Sequence, residues 1–236
     1  MVDVTLTFDT LADRARSLVH NGGRAVLGIT GAPAAGKTTL AEELVAALSK
    51  SQPTGWVAHV PMDGFHLADV ELERLGNRDR KGAPDTFDAY GYANLLRRLR
   101  EDADEMIYAP GFERVIEQPI AGAIGVPREA RLIVSEGNYL LLDDARWAGV
   151  RPLVDEVWYV DLDQPERLRR LVERHMLFGK SQADAIAWAT GTDERNAAVI
   201  AATKAAADLI IPADLMHNLG SPQMPLPKPG PTVGGA

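Results

Sequence analysis

The chain has 236 residues, with 25 Lys and Arg against 33 Asp and Glu, a formal net charge of −8 and no cysteine. That length suits one α/β domain with a sizeable core, and an acidic balance without a long Lys/Arg run argues against a nucleic-acid-binding stripe. The lack of cysteine excludes disulfides, thiolate zinc sites and cysteine nucleophiles, and no apolar run reaches the roughly 18 residues that a membrane helix needs.

The first residues, Met1-Val-Asp-Val-Thr-Leu-Thr7, lack the basic start and apolar centre of a signal peptide, so a cytoplasmic protein with neither membrane nor nucleic-acid partners is expected. Residues 8–19 carry Leu11, Ala15, Leu18 and Val19 on one face, an entry helix. The apolar run 25–29 is a buried strand. It leads into Gly31-Ala-Pro-Ala-Ala-Gly-Lys-Thr38, which matches G-x-x-x-x-G-K-[ST]. Residues 38–49 then place Leu40, Leu44, Val45 and Leu48 at helical spacing. Strand, glycine-rich loop and helix therefore follow in order, with the helix N-terminus facing phosphates. Backbone N–H groups of Gly31, Ala32, Ala34, Ala35, Gly36 and Thr39 are expected to cradle the nucleotide, with Lys37 on the β/γ-phosphates and the Thr38 hydroxyl on Mg²⁺.

A second strand over 56–60 ends at Pro61-Met-Asp-Gly-Phe-His66, and a short helix over 67–75 follows. Residues 76–88 are charged and turn-rich, a surface loop. A helix spans 91–100 with Leu95, Leu96 and Leu99 inward, and 106–127 forms two short strands around Pro110-Gly111, a hairpin off the main sheet. Strands over 131–135 and 157–160, helices over 164–178, 181–190 and 193–207, and a last strand over 209–211 complete the order. Alternating strands and helices imply a mostly parallel sheet with helices on both faces, whose ligands bind beyond the carboxyl ends of the strands. Residues 220–236 are rich in Pro and Gly without hydrophobic period, a disordered tail.

Residues that follow strands are accordingly the candidates. Asp63 follows the second strand; if that strand neighbours the first, its carboxylate sits at the same edge as Lys37 and can orient and deprotonate an attacking hydroxyl, the alternative being a helix cap. Glu136 ends the run Leu132-Ile-Val-Ser-Glu136, the expected place for a carboxylate that holds Mg²⁺ or its water. The segment from Arg167 to His175, with Lys180, is the densest basic stretch in the chain. Arg170, Arg174 and Lys180 are expected at the transferring phosphoryl group, whereas Arg167 and Arg169 read as a solvated helix face. His66 either positions substrate or packs at a helix start. No guanine-reading N-K-x-D and no L-S-G-G-Q occurs, which argues against a GTPase switch and a transporter ATPase.

Together the 31–38 loop, Met62-Asp-Gly-Phe-His66, Pro84-Asp-Thr-Phe-Asp88, Tyr108-Ala-Pro-Gly-Phe112 and Val134-Ser-Glu-Gly137 resemble the P-loop kinases of the phosphoribulokinase/uridine kinase/type I pantothenate kinase family over about residues 25–211. The nearest likeness is to its bacterial nucleoside/nucleotide kinase-like, fructose-transport-system kinase-like subgroup. The resemblance implies a P-loop NTPase three-layer α/β sandwich: one kinase domain over 1–219, with an acceptor-site insertion over about 64–128 and a lid over about 174–191. It implies an ATP- and Mg²⁺-dependent kinase that phosphorylates a hydroxyl of a small metabolite, a nucleoside, sugar or pantothenate-like alcohol. Residue by residue, Lys37 and Thr38 match the nucleotide and Mg²⁺ positions, Asp63 the acid that activates the acceptor, and Glu136 the acid of the second motif. His66, Phe112, Arg114, Glu136 and Asn196 fall at or near substrate-facing positions, and Arg174 joins Asp63 and Lys37 as catalytic. Two departures concern the acceptor: Gly82 stands where uridine kinases carry a ribose-gripping Asp, and Glu117 near their base-contacting His. A regulatory NTPase without acceptor and a nucleoside monophosphate kinase using Arg78, Arg80, Lys81 and Arg114 remain alternatives, and a homodimer remains open.

Overall fold

The computed structural model describes residues 6–20, 22–101 and 103–218; the tail expected over 220–236 lies outside them. Five parallel strands form the main sheet: β1 (Ala25–Thr30), β2 (Val57–His59), β5 (Leu132–Glu136), β6 (Glu156–Val160) and β7 (Leu209–Ile211), in the order β2-β5-β1-β6-β7. Side chains alternate across it as the two-residue period of a strand requires. Leu27, Ile29, Leu132, Val134, Trp158 and Val160 face one core with α1 (Phe8–Ser17) and α2 (Lys37–Ser51). Val26, Ile133, Val157 and Tyr159 face the other, with α4 (Ala89–Glu101) and the aromatic residues Tyr92, Tyr139 and Trp147. The α/β architecture with helices on both faces is therefore as expected.

The adjacency on which the placement of Asp63 was conditional is not met. β5 lies between β1 and β2, so the second strand in sequence is not a neighbour of the first. Asp63 nevertheless returns toward the phosphate loop, because a 3-10 turn (Met62–Phe65) folds the chain back over the end of β5. Gly137 allows it: a Cβ there would lie 2.5 Å from the Cβ of Met62.

The insertion holds α3 (Asp69–Leu75), α4 and a separate two-stranded sheet, β3 (Met106–Glu113) with β4 (Gln118–Pro127). The hairpin does not turn at Pro110-Gly111. Its register runs from Met106↔Pro127 to Glu113↔Gln118, so the turn is 114–117, and the Pro110 region is a bulge between Ala109 and Gly111. The turn signal was misleading because Pro and Gly also mark bulges. That bulge docks on the 3-10 turn, where a Cβ on Gly64 would sit 2.2 Å from the Pro110 carbonyl oxygen. Buried Arg24, just before β1, ties the hairpin base down by donating to the carbonyls of Ala130 (2.7 Å), Leu99 (3.0 Å) and Pro127 (3.1 Å).

The segment 76–88 is not simply a surface loop, since Ala83, Thr86 and Phe87 are buried and two 3-10 turns (Arg78–Arg80, Pro84–Thr86) shape it. The lid expected over about 174–191 falls on the end of α5 (Gln164–Leu177), on α6 (Gln182–Trp188) and on a π-helical turn (Ala189–Asp193) that joins α6 to α7 (Glu194–Ala201) without a break. A further short helix, α8 (Ala213–Asn218), was not anticipated. Arg167 is not solvated: it is 4% exposed, and its Nη2 donates to both carboxylate oxygens of Glu194, at 2.7 and 2.8 Å, which joins α5 to α7. Arg169 does lie on the surface, paired with Glu166 and Glu173.

Candidate active site

The carboxyl ends of β1, β5 and β2 open on a cavity of about 170 Å³ roofed by α5, α6, the π-helical turn and the hairpin tip. Its first wall is the phosphate loop. Gly31 and Gly36 have φ of 148° and 103°, and Ala34 sits at 63°; the loop thus holds one of the two non-glycine residues with positive φ among the described residues. A non-glycine residue kept in that region marks a backbone fixed for a purpose. Ala35 is buried in the core below, so its contribution to a ligand is its backbone alone; Thr39 is buried at the start of α2. Lys37 is buried and curls back, donating from Nζ to the Ala32 carbonyl at 3.1 Å. Burial lowers its pKa to about 8, against the opposing pull of Glu136 and Asp63, so it stays mainly charged at neutral pH.

Thr38 donates from Oγ1 to Glu136 Oε1 at 3.0 Å. A hydroxyl and a carboxylate side by side at a helix N-terminus are the donor set by which Mg²⁺ is held together with phosphate oxygens and waters. Glu136 is 3% exposed; burial first, then the nearby Asp63, pushes its carboxyl up to about 7. A divalent cation would relieve that cost by stabilising the ionised form, so the residues fit the ion.

Asp63 faces Lys37 and Glu136 across the cavity. Burial acts to raise its pKa, but His66, Arg114, Lys37 and Arg174 together hold it below the usual carboxylate range. Its Oδ2 accepts from Arg114 Nη2 at 3.1 Å, and its backbone oxygen lies 2.8 Å from His66 Nδ1. The imidazole is clamped between the rings of Phe87 and Phe112, with centroids 4.0 and 4.7 Å away. Burial also lowers the pKa of His66, against the opposing pull of Asp63. The helix-cap alternative for Asp63 does not apply: α3 begins at Asp69 behind Ala68, with no side-chain cap.

Of the remaining candidates, Arg174, Lys180, Phe112, Arg114 and Asn196 all line the cavity. Asn196 donates to the Gly82 carbonyl at 3.2 Å, and Tyr139 donates to the same oxygen through its hydroxyl. Gly82 itself has φ of 96° and faces open space, a Cβ there finding only Asn196 Nδ2 at 3.9 Å. Lys180 lies 4.8 Å from the centre of the Trp188 ring. Arg170 is the exception: it pairs with Glu166 at 2.7 Å beside the loop and does not line the cavity. Sequence reasoning missed Tyr139, His175, Trp188 and Asp193. His175 and Asp193 meet at 2.7 Å across the π-helical turn; such turns recur at functional sites, but nothing in the residue pattern announces one.

The sequence profile of the "Phosphoribulokinase / Uridine kinase family" matches residues 26–218. A "Putative uridine kinase C227.14" of Schizosaccharomyces pombe is 33% identical over 177 residues, 73% of this chain and 75% of that protein. A "Pantothenate kinase" of Leifsonia xyli subsp. xyli is 32% identical over 136 residues, 58% of this chain and 40% of that protein. Among solved structures, a "putative fructose transport system kinase" from Silicibacter sp. TM1040 is 36% identical, superposes with a TM-score of 0.80, and the match covers 88% of this chain and 100% of that one.

Proposed function

The chain belongs to the phosphoribulokinase/uridine kinase family and is an ATP-dependent phosphotransferase with an alcohol group as acceptor; we propose that it moves the γ-phosphoryl group of ATP to a hydroxyl of a small metabolite held between Asp63 and the hairpin tip. The observation that carries this reading is the meeting of Lys37, Thr38, Glu136 and Asp63 around one cavity. Lys37 and the 31–38 backbone hold the triphosphate. Asp63 orients the acceptor hydroxyl and takes its proton as the new O–P bond forms and the bond to the ADP oxygen breaks. Arg174 and Lys180, from the lid, neutralise charge on the transferring group and shut out water. Thr38 and Glu136 are the residues that would hold Mg²⁺, which supplies charge neutralisation to the β- and γ-phosphates.

The relatives are named for different roles, one as a putative uridine kinase, one as a pantothenate kinase and one as a putative fructose transport system kinase. Of the four cations that a nucleoside monophosphate acceptor would use, Arg78 is engaged by Asp69 and Glu73 and Arg80 by Asp85, and neither lines the cavity, whereas Lys81 and Arg114 do. A regulatory NTPase has no need of an aromatic-walled pocket beside Asp63.

The test is Asp63→Asn in an ADP-release screen over nucleosides, ketoses, polyols and pantothenate. Phosphorylation of the responding acceptor should fall by about 10² or more, while affinity for a non-hydrolysable ATP analogue changes by less than about threefold. Undiminished turnover by the variant would remove Asp63 from this role.

A further inference from the structure

Besides the exposed Glu117, three acids line the cavity, and two of them, Asp63 and Glu136, act in the proposed transfer. The third, Asp193, has no part in it. A carboxylate in a site for a triphosphate repels its ligand unless it serves a cation there. Asp193 ends the π-helical turn and is 12% exposed at its side chain. The Nε2–H of His175 donates to its Oδ2 at 2.7 Å, while Oδ1 accepts no hydrogen bond among the described residues. The pair is not needed to hold the helices together, since Arg167 and Glu194 already join α5 to α7. What stands beside it is Arg174. Arg174 and His175 are consecutive on α5 and project about 100° apart, so a grip on the imidazole fixes the rotation of the last helical turn and with it the direction of the guanidinium. That guanidinium lines the cavity and has no hydrogen-bond or ion-pair partner among the described residues. Burial and then Arg114 act to strip its charge; Asp193 leads the acids that oppose them, ahead of Asp63 and Glu136. The His175 carbonyl also accepts the Lys180 N–H at 3.1 Å, which turns the chain back at the end of α5 and leaves Lys180 on the same cavity. One residue thus sits between two cavity cations and is itself held by Asp193.

On the reading of Arg174 as a cation of the transferring group, we propose that Asp193 and His175 are positioning residues for the phosphoryl transfer: His175 fixes the Asp193 carboxylate, and Asp193 keeps the Arg174 guanidinium aimed at that group. An arginine without partners samples many rotamers, and each transfer has to gather it from them. A fixed negative charge beside it narrows that set before the nucleotide arrives, so the donors stand ready where charge develops. In the empty site Asp193 offsets the guanidinium charge. In the transition state the charge spread over the three equatorial phosphoryl oxygens outweighs one carboxylate, and Arg174 donates to the phosphoryl group with Asp193 behind it. Neither Asp193 nor His175 touches the reacting atoms; both act through Arg174.

The test uses the full chain with Mg²⁺ and two ligands: ADP alone, and ADP with aluminium fluoride, a mimic of the phosphoryl group in transfer. Titration calorimetry gives both affinities for the native chain, Asp193→Asn, His175→Gln, Arg174→Gln and the double variant of Arg174→Gln with Asp193→Asn. Asp193→Asn keeps the shape and removes the charge. It should weaken the mimic at least about tenfold, the worth of one hydrogen bond to a charged group, and change ADP affinity by less than about threefold. His175→Gln should weaken the mimic in the same selective way. Arg174→Gln should cost at least as much, and the double variant should be no worse than Arg174→Gln alone, because residues that act through one another do not add. With an acceptor that responds in the ADP-release screen, Asp193→Asn should lower kcat and leave the KM for ATP within about threefold. Losses that add in the double variant overturn the proposal, and so does equal weakening of ADP and mimic, the mark of a structural defect. Unchanged affinities in Asp193→Asn beside a weakened Arg174→Gln refute the pair and leave Arg174 and the kinase reading standing. Undiminished mimic affinity in Arg174→Gln removes the cation from its role and the pair with it. A native chain that binds the mimic no better than ADP counts against phosphoryl transfer itself, and the proposal falls with that reading.

Discussion

Glu136 is a carboxyl kept from water beside a second carboxyl, and its cost has a definite sign. Its pKa in the folded chain is about 7, against 4.5 for the free side chain, so between those values the folded state binds the extra proton and stability falls as pH rises. Above pH 7 the full cost applies, on the order of 3 kcal/mol for the shift to about 7. Glu136→Gln keeps the shape and removes the charge. In the nucleotide-free protein this variant should melt about 5 °C or more above the native chain at pH 8, the gap closing near pH 5, as differential scanning calorimetry would show. The same change should cost about 10² in Mg²⁺-dependent turnover. A gain in stability with a loss of chemistry is the signature of a residue kept for function. Equal melting curves at pH 8 would mean that the carboxylate is compensated in the folded state.

At the scale of elements, the acceptor wall depends on how closely the hairpin approaches the Met62–Phe65 turn. Gly64 makes that approach possible, because any Cβ would overlap the Pro110 carbonyl. Gly64→Ala must therefore push the β3 bulge outward and carry Phe112 and Arg114 with it. We expect a loss of about 2 kcal/mol in stability and a rise of at least tenfold in acceptor KM, with the affinity for an ATP analogue little changed because the 31–38 loop lies on the far side of the cavity. Unaltered acceptor KM would show that the hairpin tip is not part of the acceptor site. The hairpin was legible as two strands off the main sheet, but its turn was not: Pro110 and Gly111 carry the local turn signal, while the register is fixed by the docking of Ala109, Ile107 and Val126 into the core.

At the scale of the whole molecule, the segment expected to act as a lid is tied to α7 by two side-chain pairs. Arg167 with Glu194 and His175 with Asp193 join α5 to α7 and to the π-helical turn. α6 carries exposed Ile186 and places only Ala185 fully in the interior. Elements with few buried apolar contacts open at low free-energy cost. Hydrogen exchange should show slow protection of amides over 174–191 when the ATP analogue binds, with little change in β1, β5 and β6. Protection confined to the 31–38 loop would indicate that these helices do not close on the nucleotide. Glu194→Gln should lower stability by roughly 3 kcal/mol, since it strands buried Arg167, whose Nη1 already has no partner.

The sequence alone determined what depends on neighbours along the chain: the strand, loop and helix around Gly31–Thr38, the alternation that makes a parallel sheet, and the acids that end strand runs, Asp63 and Glu136. Those features are local because glycine dihedrals, apolar period and helix start are properties of a few consecutive residues. Only the tertiary structure decided the strand order that puts β5 between β1 and β2, the burial of Arg167, the grip of Tyr139 and Asn196 on the Gly82 carbonyl, and the pairing of Arg114 with Asp63. Each of these joins residues 27 to 114 positions apart or ranks strands against one another. No run of adjacent residues encodes such a contact: the burial that creates it comes from the packing of the whole chain.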